Sequence, residues 1–315
     1  MNHKILELLK ENEFVSGEIL AKQLKVSRTA IWKQIKTLQN LGYEIESVKN
    51  RGYCLISRPD KPLSEEISAG LKTEIVGKKI IYFETVDSTN FYGKKLVGED
   101  TAEGTTIVAD IQTKGRGRKD RSWSSPRGGL WFSVILYPNI SPQKAMLVTM
   151  ASSISVAQAI SEITDLNPVI KWPNDLLVNG KKICGILTEL DAEIDKINYC
   201  LVGIGINVNN KINADLKGIA TSLYNETRTY LSRVELLKLI ISKLDENYAK
   251  LLSKDYKYIR NIWFKYANII GKKVQISREK STIKGVVSDV DDSGCLILKT
   301  AEGKVRIFSG DLTIL

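Results

Sequence analysis

The chain has 315 residues, 43% hydrophobic and 26% charged, with a formal net charge of +10; this suits about two or three globular domains and anionic partners. Its single histidine, His3, lies at the amino terminus, which excludes Ser-His-Asp and Cys-His catalysis and histidine-ligated metals, and leaves Lys, Arg, Asn and Asp to work by positioning and charge. Cys54, Cys184, Cys200 and Cys295 are scattered without a CxxC pair, and Met1 to Glu13 has no signal-peptide core. We therefore expect no disulfide, no metal-ligating set and a cytoplasmic protein. The uncharged run from Ala145 to Ser161 is interrupted by Ser, Thr and Gln158 and predicts a packed helix rather than a membrane span.

Ile5, Leu8 and Leu9 predict a first helix, and Ser16 caps a second through Leu20 and Leu24. After the break at Lys25-Val-Ser-Arg, Ser27 caps a third helix. Ile31, Ile35 and Leu38 share one of its faces, and Thr29, Lys33, Lys36 and Asn40 the other. Ile19 to Tyr43 holds five basic residues and no acidic one. YEIESVKNRGYCLI then reads as two strands turning at Lys49-Asn50-Arg51-Gly52. This order resembles a winged helix-turn-helix, which implies that the third helix enters the major groove while the wing touches phosphates. Its DNA-binding candidates are Ser27, Arg28, Thr29, Lys33 and Lys36 on the helix and Lys49 and Arg51 on the wing; the other reading is a helical domain with a solvated basic face. SRPDKPLSEE is a linker, with Ser64 capping the next helix.

Beyond Lys78, IIYF, TTIVADI, LWFSVILY, VIKW, ICGILTEL and YCLVGIGINV predict strands, and Asp87 to Val97 and Ser141 to Ile163 predict helices. The expected fold is α+β, a mixed sheet with helices on one face. Between two of those strands lies GRGRKDRSWSSPRGG. Its glycines let backbone amides approach a ligand, while Arg116, Arg118 and Arg121 can pair with phosphate or carboxylate and Trp123 offers a stacking surface. Neither GxGxxG nor GxxxxGK[ST] occurs here; this is a different anion loop, or a basic surface loop. Ser232 to Tyr248 and Asp255 to Ala267 predict two further helices, and short strands return from Gly271 onward.

STN at 88–90, QTKGRGR at 112–118, WSSP at 123–126, KWPND at 171–175, KKICGIL at 181–187 and GIGINV at 203–208 follow in order. Together they closely resemble the biotin–protein ligases, and more closely the bifunctional biotin operon repressors. The resemblance implies a winged helix-turn-helix over residues 1–60, a linker and first helix over 61–78, a mixed-sheet catalytic domain of the biotin/lipoate ligase type over 79–268, and an SH3-like small β-barrel over 269–315. It implies two reactions. Biotin and MgATP give biotinyl-5′-AMP, and a lysine of a biotin carboxyl carrier protein then takes the biotin.

Carried over by position, Ser88, Thr89 and Gln112 resemble the polar contacts to the biotin ring, with Ser88 and Thr89 also suited to cap the helix that follows, and Asn90, Gly115, Arg116 and Gly185 resemble further residues of its pocket. Lys182 resembles the lysine that bridges the biotin carboxylate and the α-phosphate, and the resemblance implies that with Arg116 and Arg118 it forms the catalytic set. Arg118, Arg121, Trp123, Asn174 and Asn207 serve the nucleotide, Trp123 as a lid or as a stacking surface near adenine. Asp175 positions the incoming amine, binds magnesium, or holds the loop after KWPN. One departure stands out: the family's glycine within GRGRxGRxW is Asp120 here. The resemblance also implies operator DNA as a partner, with biotinyl-5′-AMP as corepressor of biotin synthesis genes and a ligand-promoted homodimer. The rival readings are a lipoate–protein ligase and a ligand-sensing repressor without transfer activity. Without a ligand, residues 115–125 are expected to be mobile, because no anion organises their cations.

Overall fold

The structure, a computed structural model, describes residues 2–11, 13–98, 100–278 and 281–315, and at positions 3, 10 and 11 the backbone alone. The imidazole of His3 thus lies outside the described residues. The chain divides into two units, Met1–Gly70 and Leu71–Leu315.

In the first unit, helices α1 (Asn2–Glu11), α2 (Gly17–Leu24) and α3 (Arg28–Asn40) precede a hairpin of β1 (Glu44–Val48) and β2 (Gly52–Ser57) and the short helix α4 (Ser64–Ser68). Both expected serine caps form: Ser16 Oγ accepts from Ile19 N at 3.2 Å and Ser27 Oγ from Ala30 N at 3.1 Å, which satisfies amides that the first helical turn leaves open. Ile31, Ile35 and Leu38 fill the core beneath α3 as expected. On α1 the buried set is Ile5, Leu6 and Leu9; Leu8 is only partly buried. The helical stripe is thus turned by a fraction of a turn from the expected one. Asn50 takes a left-handed conformation in the hairpin turn, and a Cβ on Gly52 would stand 2.2 Å from Val15 O, so the turn needs its glycine. Ser64 is not a cap: it starts α4, behind Leu63, and makes no capping bond. Tyr43 Oη donates to the buried carboxylate of Glu66 at 2.8 Å and Arg58 pairs with Glu66 at 3.3 Å, which ties α4 to this unit.

The second unit is built on a seven-stranded sheet. Its strands are β3 (Ile80–Val86), β4 (Thr106–Gln112), β5 (Leu130–Leu136), β6 (Val169–Lys171), β7 (Asp175–Val178), β8 (Lys181–Ala192) and β9 (Ile197–Ile206), in the order β3-β4-β5-β9-β8-β7-β6. Among the described residues, β3–β4 is the only parallel strand pair in this sheet, as suits a sheet joined mostly by hairpins. Helices α5 (Thr89–Leu96), α6 (Met146–Ile163), α7 (Leu223–Thr227), α8 (Arg233–Leu252) and α9 (Tyr256–Ala267) join and cover it. α6 is long and apolar enough to cross a membrane by composition, but β8, α8 and α9 enclose it.

The two faces of the sheet are used differently. Thr188 on β8 meets Thr149 on α6, Oγ1 to Oγ1 at 2.8 Å. The residues that alternate with it, Leu187 paired with Gly203 and Gly185 paired with Gly205, therefore face the other way. There α5 packs, its Tyr92 and Leu96 against Ile107, Ile135 and Leu201. Helices cover one face as expected, but α5 lies on the opposite one, and there it leaves a strip of sheet open.

Past α9, β10 (Lys273–Ser277), β11 (Thr282–Val290), β12 (Leu296–Thr300), β13 (Gly303–Ile307) and β14 (Asp311–Ile314) form an antiparallel sheet in the order β13-β12-β11-β10-β14. β7 and β14, four residues each, were absent from the expected strands because so few residues show no period.

Candidate active site and nucleic-acid interface

Glycines decide where the cavity forms. A Cβ on Gly205 would stand 2.5 Å from Trp123 Nε1, one on Gly185 3.0 Å from Trp123 Cζ3, and one on Gly203 2.3 Å from Asn90 Oδ1. Only bare backbone lets the indole lie on the sheet. The cavity around this strip measures about 320 Å3, within the usual range for small-molecule sites. Ser88, Thr89, Asn90, Gln112, Arg116, Arg118, Arg121, Trp123, Asn174, Lys182, Gly185 and Asn207 line it. Gly115 is buried beside it, with a notional Cβ 2.4 Å from Trp123 O.

One end of the cavity is a hydrogen-bonded polar cluster. Gln112 Oε1 accepts from Thr89 N at 2.8 Å and from Thr89 Oγ1 at 3.1 Å, and Gln112 Nε2 donates to Ser125 Oγ at 2.9 Å. Ser88 caps α5, its Oγ accepting from Phe91 N at 3.4 Å. Asn90 is used internally: its Nδ2 donates to Glu189 Oε2 at 2.6 Å, and its Oδ1 lies 2.6 Å from Ser133 Oγ. Asn90 therefore braces the wall, with its amide satisfied from within the chain.

The other end gathers charge. Lys182 Nζ stands 2.7 Å from Asp175 Oδ1 and 5.1 Å from the centroid of Trp123. Backbone bonds fix it, since its N–H donates to Ile219 O and its C=O accepts from Thr221 N, both at 2.9 Å. Lys181 points elsewhere and is exposed. Arg118 Nη1 donates to Asn174 Oδ1 at 2.9 Å, while Asn174 Nδ2 holds Ile186 O at 2.8 Å. Asn207 Oδ1 accepts from Asn210 Nδ2 at 3.0 Å. Cys184, beside Lys182, is fully buried, and burial pushes its thiol well up, so it is no nucleophile.

The expectation that no anion organises the arginine loop needs correction. Arg116 pairs with Asp120 at 3.2 Å, and Asp311 pairs with Lys119 at 3.2 Å and Arg121 at 3.3 Å. Backbone bonds Gly117 N to Arg121 O at 2.7 Å and Trp123 N to Gly115 O at 2.8 Å close the loop on itself. Lys119 and Asp120 both have φ of 55°, the left-handed region where glycine is easiest and aspartate is among the better tolerated alternatives. The departure at Asp120 thus keeps the backbone shape and adds a partner for Arg116. Beneath the end of the loop, buried Asp110 pairs with Arg233 at 2.6 Å and with Arg127 at 2.7 Å, and Arg233 also donates to Gly129 O at 3.1 Å.

Several lining residues were not picked out from the sequence. Gly203 and Gly205 carry a signal, since glycine at every second position of a strand bares one face. Lys211, Ile212, Leu216, Ile219 and Ala220 form a shelf beside Lys182, and Asp311 comes from the terminal sheet; neither has a local pattern that would reveal it.

In the first unit, Arg28, Thr29, Lys33 and Lys36 on α3 and Lys49 and Arg51 on the hairpin are exposed. The hydroxyl of Ser27 is occupied as the cap of α3. Arg51 stacks its guanidinium 4.0 Å over the ring of Phe14, which fixes the hairpin tip without burying its N–H groups.

Residues 82–207 match the Biotin/lipoate A/B protein ligase family, residues 2–54 an HTH domain, and residues 269–312 the Biotin protein ligase C terminal domain. The chain is 40% identical to the bifunctional ligase/repressor BirA of Bacillus subtilis, over 98% of this chain and 97% of that one. The chain belongs to the bifunctional biotin ligase/repressor family. A second member, the bifunctional ligase/repressor BirA of Escherichia coli, is 29% identical over 98% of this chain and 94% of its own. Among solved structures, the biotin protein ligase from Aquifex aeolicus in complex with biotin and ATP superposes with a TM-score of 0.66 at 34% identity, covering 76% of this chain and 99% of that one. The order of units in this family member is the one expected from the motifs: helix-turn-helix, mixed-sheet ligase domain, then antiparallel terminal sheet.

Proposed function

We propose that this chain is an ATP-dependent biotin–protein ligase that makes biotinyl-5′-AMP, transfers biotin to a lysine of a biotin carboxyl carrier protein, and represses transcription through its amino-terminal unit. The observation that carries the reading is the layout of one cavity: the Thr89–Gln112–Ser125 cluster at one end, and Lys182 with Arg118 and Asn174 at the other. A ligand with a neutral, hydrogen-bonding ring and a carboxylate tail suits both ends, with the glycine strip and Trp123 enclosing the apolar middle.

In the first step a biotin carboxylate oxygen bonds to the α-phosphorus of ATP, the bond to the bridging oxygen breaks, and pyrophosphate leaves. Two anions must meet, and Lys182, Arg116 and Arg118 neutralise the crowded oxygens. In the second step the carrier lysine's neutral amine attacks the acyl carbon, the C–O bond to AMP breaks, and the nitrogen sheds a proton as the amide forms. Ser88, Thr89, Asn90, Gln112, Gly115 and Gly185 shape the biotin end. Arg118, Arg121, Asn174 and Asn207 serve the nucleotide, with Ile212, Leu216 and Ile219 as an apolar surface for adenine. Trp123 acts as a lid on the glycine strip. Asp175 holds Lys182 Nζ, and no further duty is assigned to it.

Among the described residues no three of His, Cys, Asp and Glu gather around a metal position. Mg2+ fits here as an ion carried in on the phosphates, as magnesium commonly is, where it would screen their charge. A dimer formed on biotinyl-5′-AMP would present two α3 helices to operator DNA, and we place the protein in the cytoplasm.

Incubation with radiolabelled biotin, ATP and a carrier domain tests the reading. Label should appear on the carrier lysine; ATP-dependent adenylate without transfer would leave the ligand-sensing repressor. Pyrophosphate release driven by lipoate rather than biotin would favour the lipoate ligase.

A further inference from the structure

On α3 the core takes Ile31, Ile35 and Leu38 and leaves Trp32 52% exposed. Trp32 is the fifth residue of the helix, four after Arg28 and four before Lys36, so it shares a strip of surface with both cations. Lys33 and Thr29 are also exposed beside it, and α3 carries no carboxylate. An indole left half in water forgoes a large burial and keeps a broad apolar surface free for a partner. The cations around it select a polyanion over an apolar protein partner. Residues near the amino end of a recognition helix are the ones that reach base edges, while phosphates are met by flanking cations. Among the base edges of the major groove, thymine alone offers an apolar group, its C5-methyl.

We propose that Trp32 is a specificity-determining residue for DNA, its indole covering a thymine methyl in the major groove while Arg28 and Lys36 hold phosphates on either side. The inference rests on the DNA-binding reading above and adds the base preference to it.

The test uses the full chain with biotin and ATP and a library of random-sequence duplexes. Wild type should select a motif with a fixed A·T pair that Trp32→Ala no longer selects. Replacing that thymine with deoxyuridine in the selected duplex should weaken wild-type binding about fourfold, the worth of one buried methyl, and leave the Ala variant unaffected. Trp32→Phe should keep most of the preference, and biotinyl-5′-AMP synthesis should be unchanged in both variants. Equal wild-type affinity for the thymine and uracil duplexes overturns the proposal, even if Trp32→Ala fails to fold. So does equal weakening of selected and unrelated duplexes by Trp32→Ala, which would make Trp32 a backbone contact. Failure of wild type to enrich any sequence would instead remove the DNA-binding reading itself.

Discussion

Lys182 Nζ and Asp175 Oδ1 stand 2.7 Å apart, joined across neighbouring strands β8 and β7. The pair holds the lysine side chain aimed along the cavity edge before any substrate arrives. Lys182→Met removes a fixed cation from the point where two anions meet, and should cost about 2–4 kcal/mol of transition-state stabilisation. Pyrophosphate release should fall by roughly one and a half to three orders of magnitude with the fold intact by circular dichroism; near-normal adenylation would refute the role. Asp175→Asn should lose less, because Lys182 stays in the cavity and loses only the carboxylate that positions it.

The glycine strip supplies a second test. Gly205→Ala would set a methyl 2.5 Å from Trp123 Nε1, so the indole must lift from the sheet at a cost of about 1–3 kcal/mol, as overpacking typically costs. The expected result is a change in tryptophan emission and a raised KM for biotin with a smaller change in KM for ATP. Unchanged emission would mean that Trp123 does not rest on the strip in solution.

Asp311 gives a pH-dependent signature. Burial works against its ionised form, but the hydrogen bond and charge of Lys119, then the charges of Arg121 and Arg118, hold its carboxyl below the usual carboxylate range. A carboxyl depressed in the folded state contributes stability above its unfolded value and loses it as pH falls through the folded one. The difference in Tm between wild type and Asp311→Asn should therefore be constant from neutral pH down to about 4, then shrink toward zero in stronger acid. A difference that grows on acidification would contradict the assignment. Because Asp311 is about half exposed, the difference should be modest and fall with salt.

Asp120→Gly removes the carboxylate that faces Arg116 and places the residue with least left-handed strain at a φ of 55°. Adenylation should stay within about threefold of wild type, as expected when an exposed ion pair is lost, and KM for ATP should fall rather than rise. A loss beyond tenfold would show that Asp120 serves the chemistry directly.

Coupling between the two units is tested in solution. If biotinyl-5′-AMP promotes a dimer, sedimentation should show a ligand-dependent shift in mass, and operator affinity should rise with it. Linkage requires operator DNA to tighten adenylate binding by the same factor. Equal operator affinity with and without ligand would leave a ligase with a DNA-binding domain and no switch.

The first unit was legible almost in full because its signals are local. Ser16 and Ser27 cap where a serine before an apolar stripe suits, and Asn50 and Gly52 take the positive-φ positions of the hairpin turn that their residue types tolerate best. In the second unit, strand positions and the list of cations were equally plain, since alternation and charge are written residue by residue. What sequence alone left undecided is which of those groups meet. Glu189 lies 99 positions from Asn90 and bonds it, Asp311 lies 190 positions from Arg121 and pairs with it, and no periodicity links either pair. The orientation of α5 toward the open face, the indole of Trp123 on bare glycine backbone, and the turning of Lys182 toward Asp175 all follow from strand register. Residue types and local periods were determined by the chain itself. Partnership across the sheet was decided only when closing long loops brought distant groups within hydrogen-bonding distance, a free energy set by the whole packed core rather than by any stretch of it.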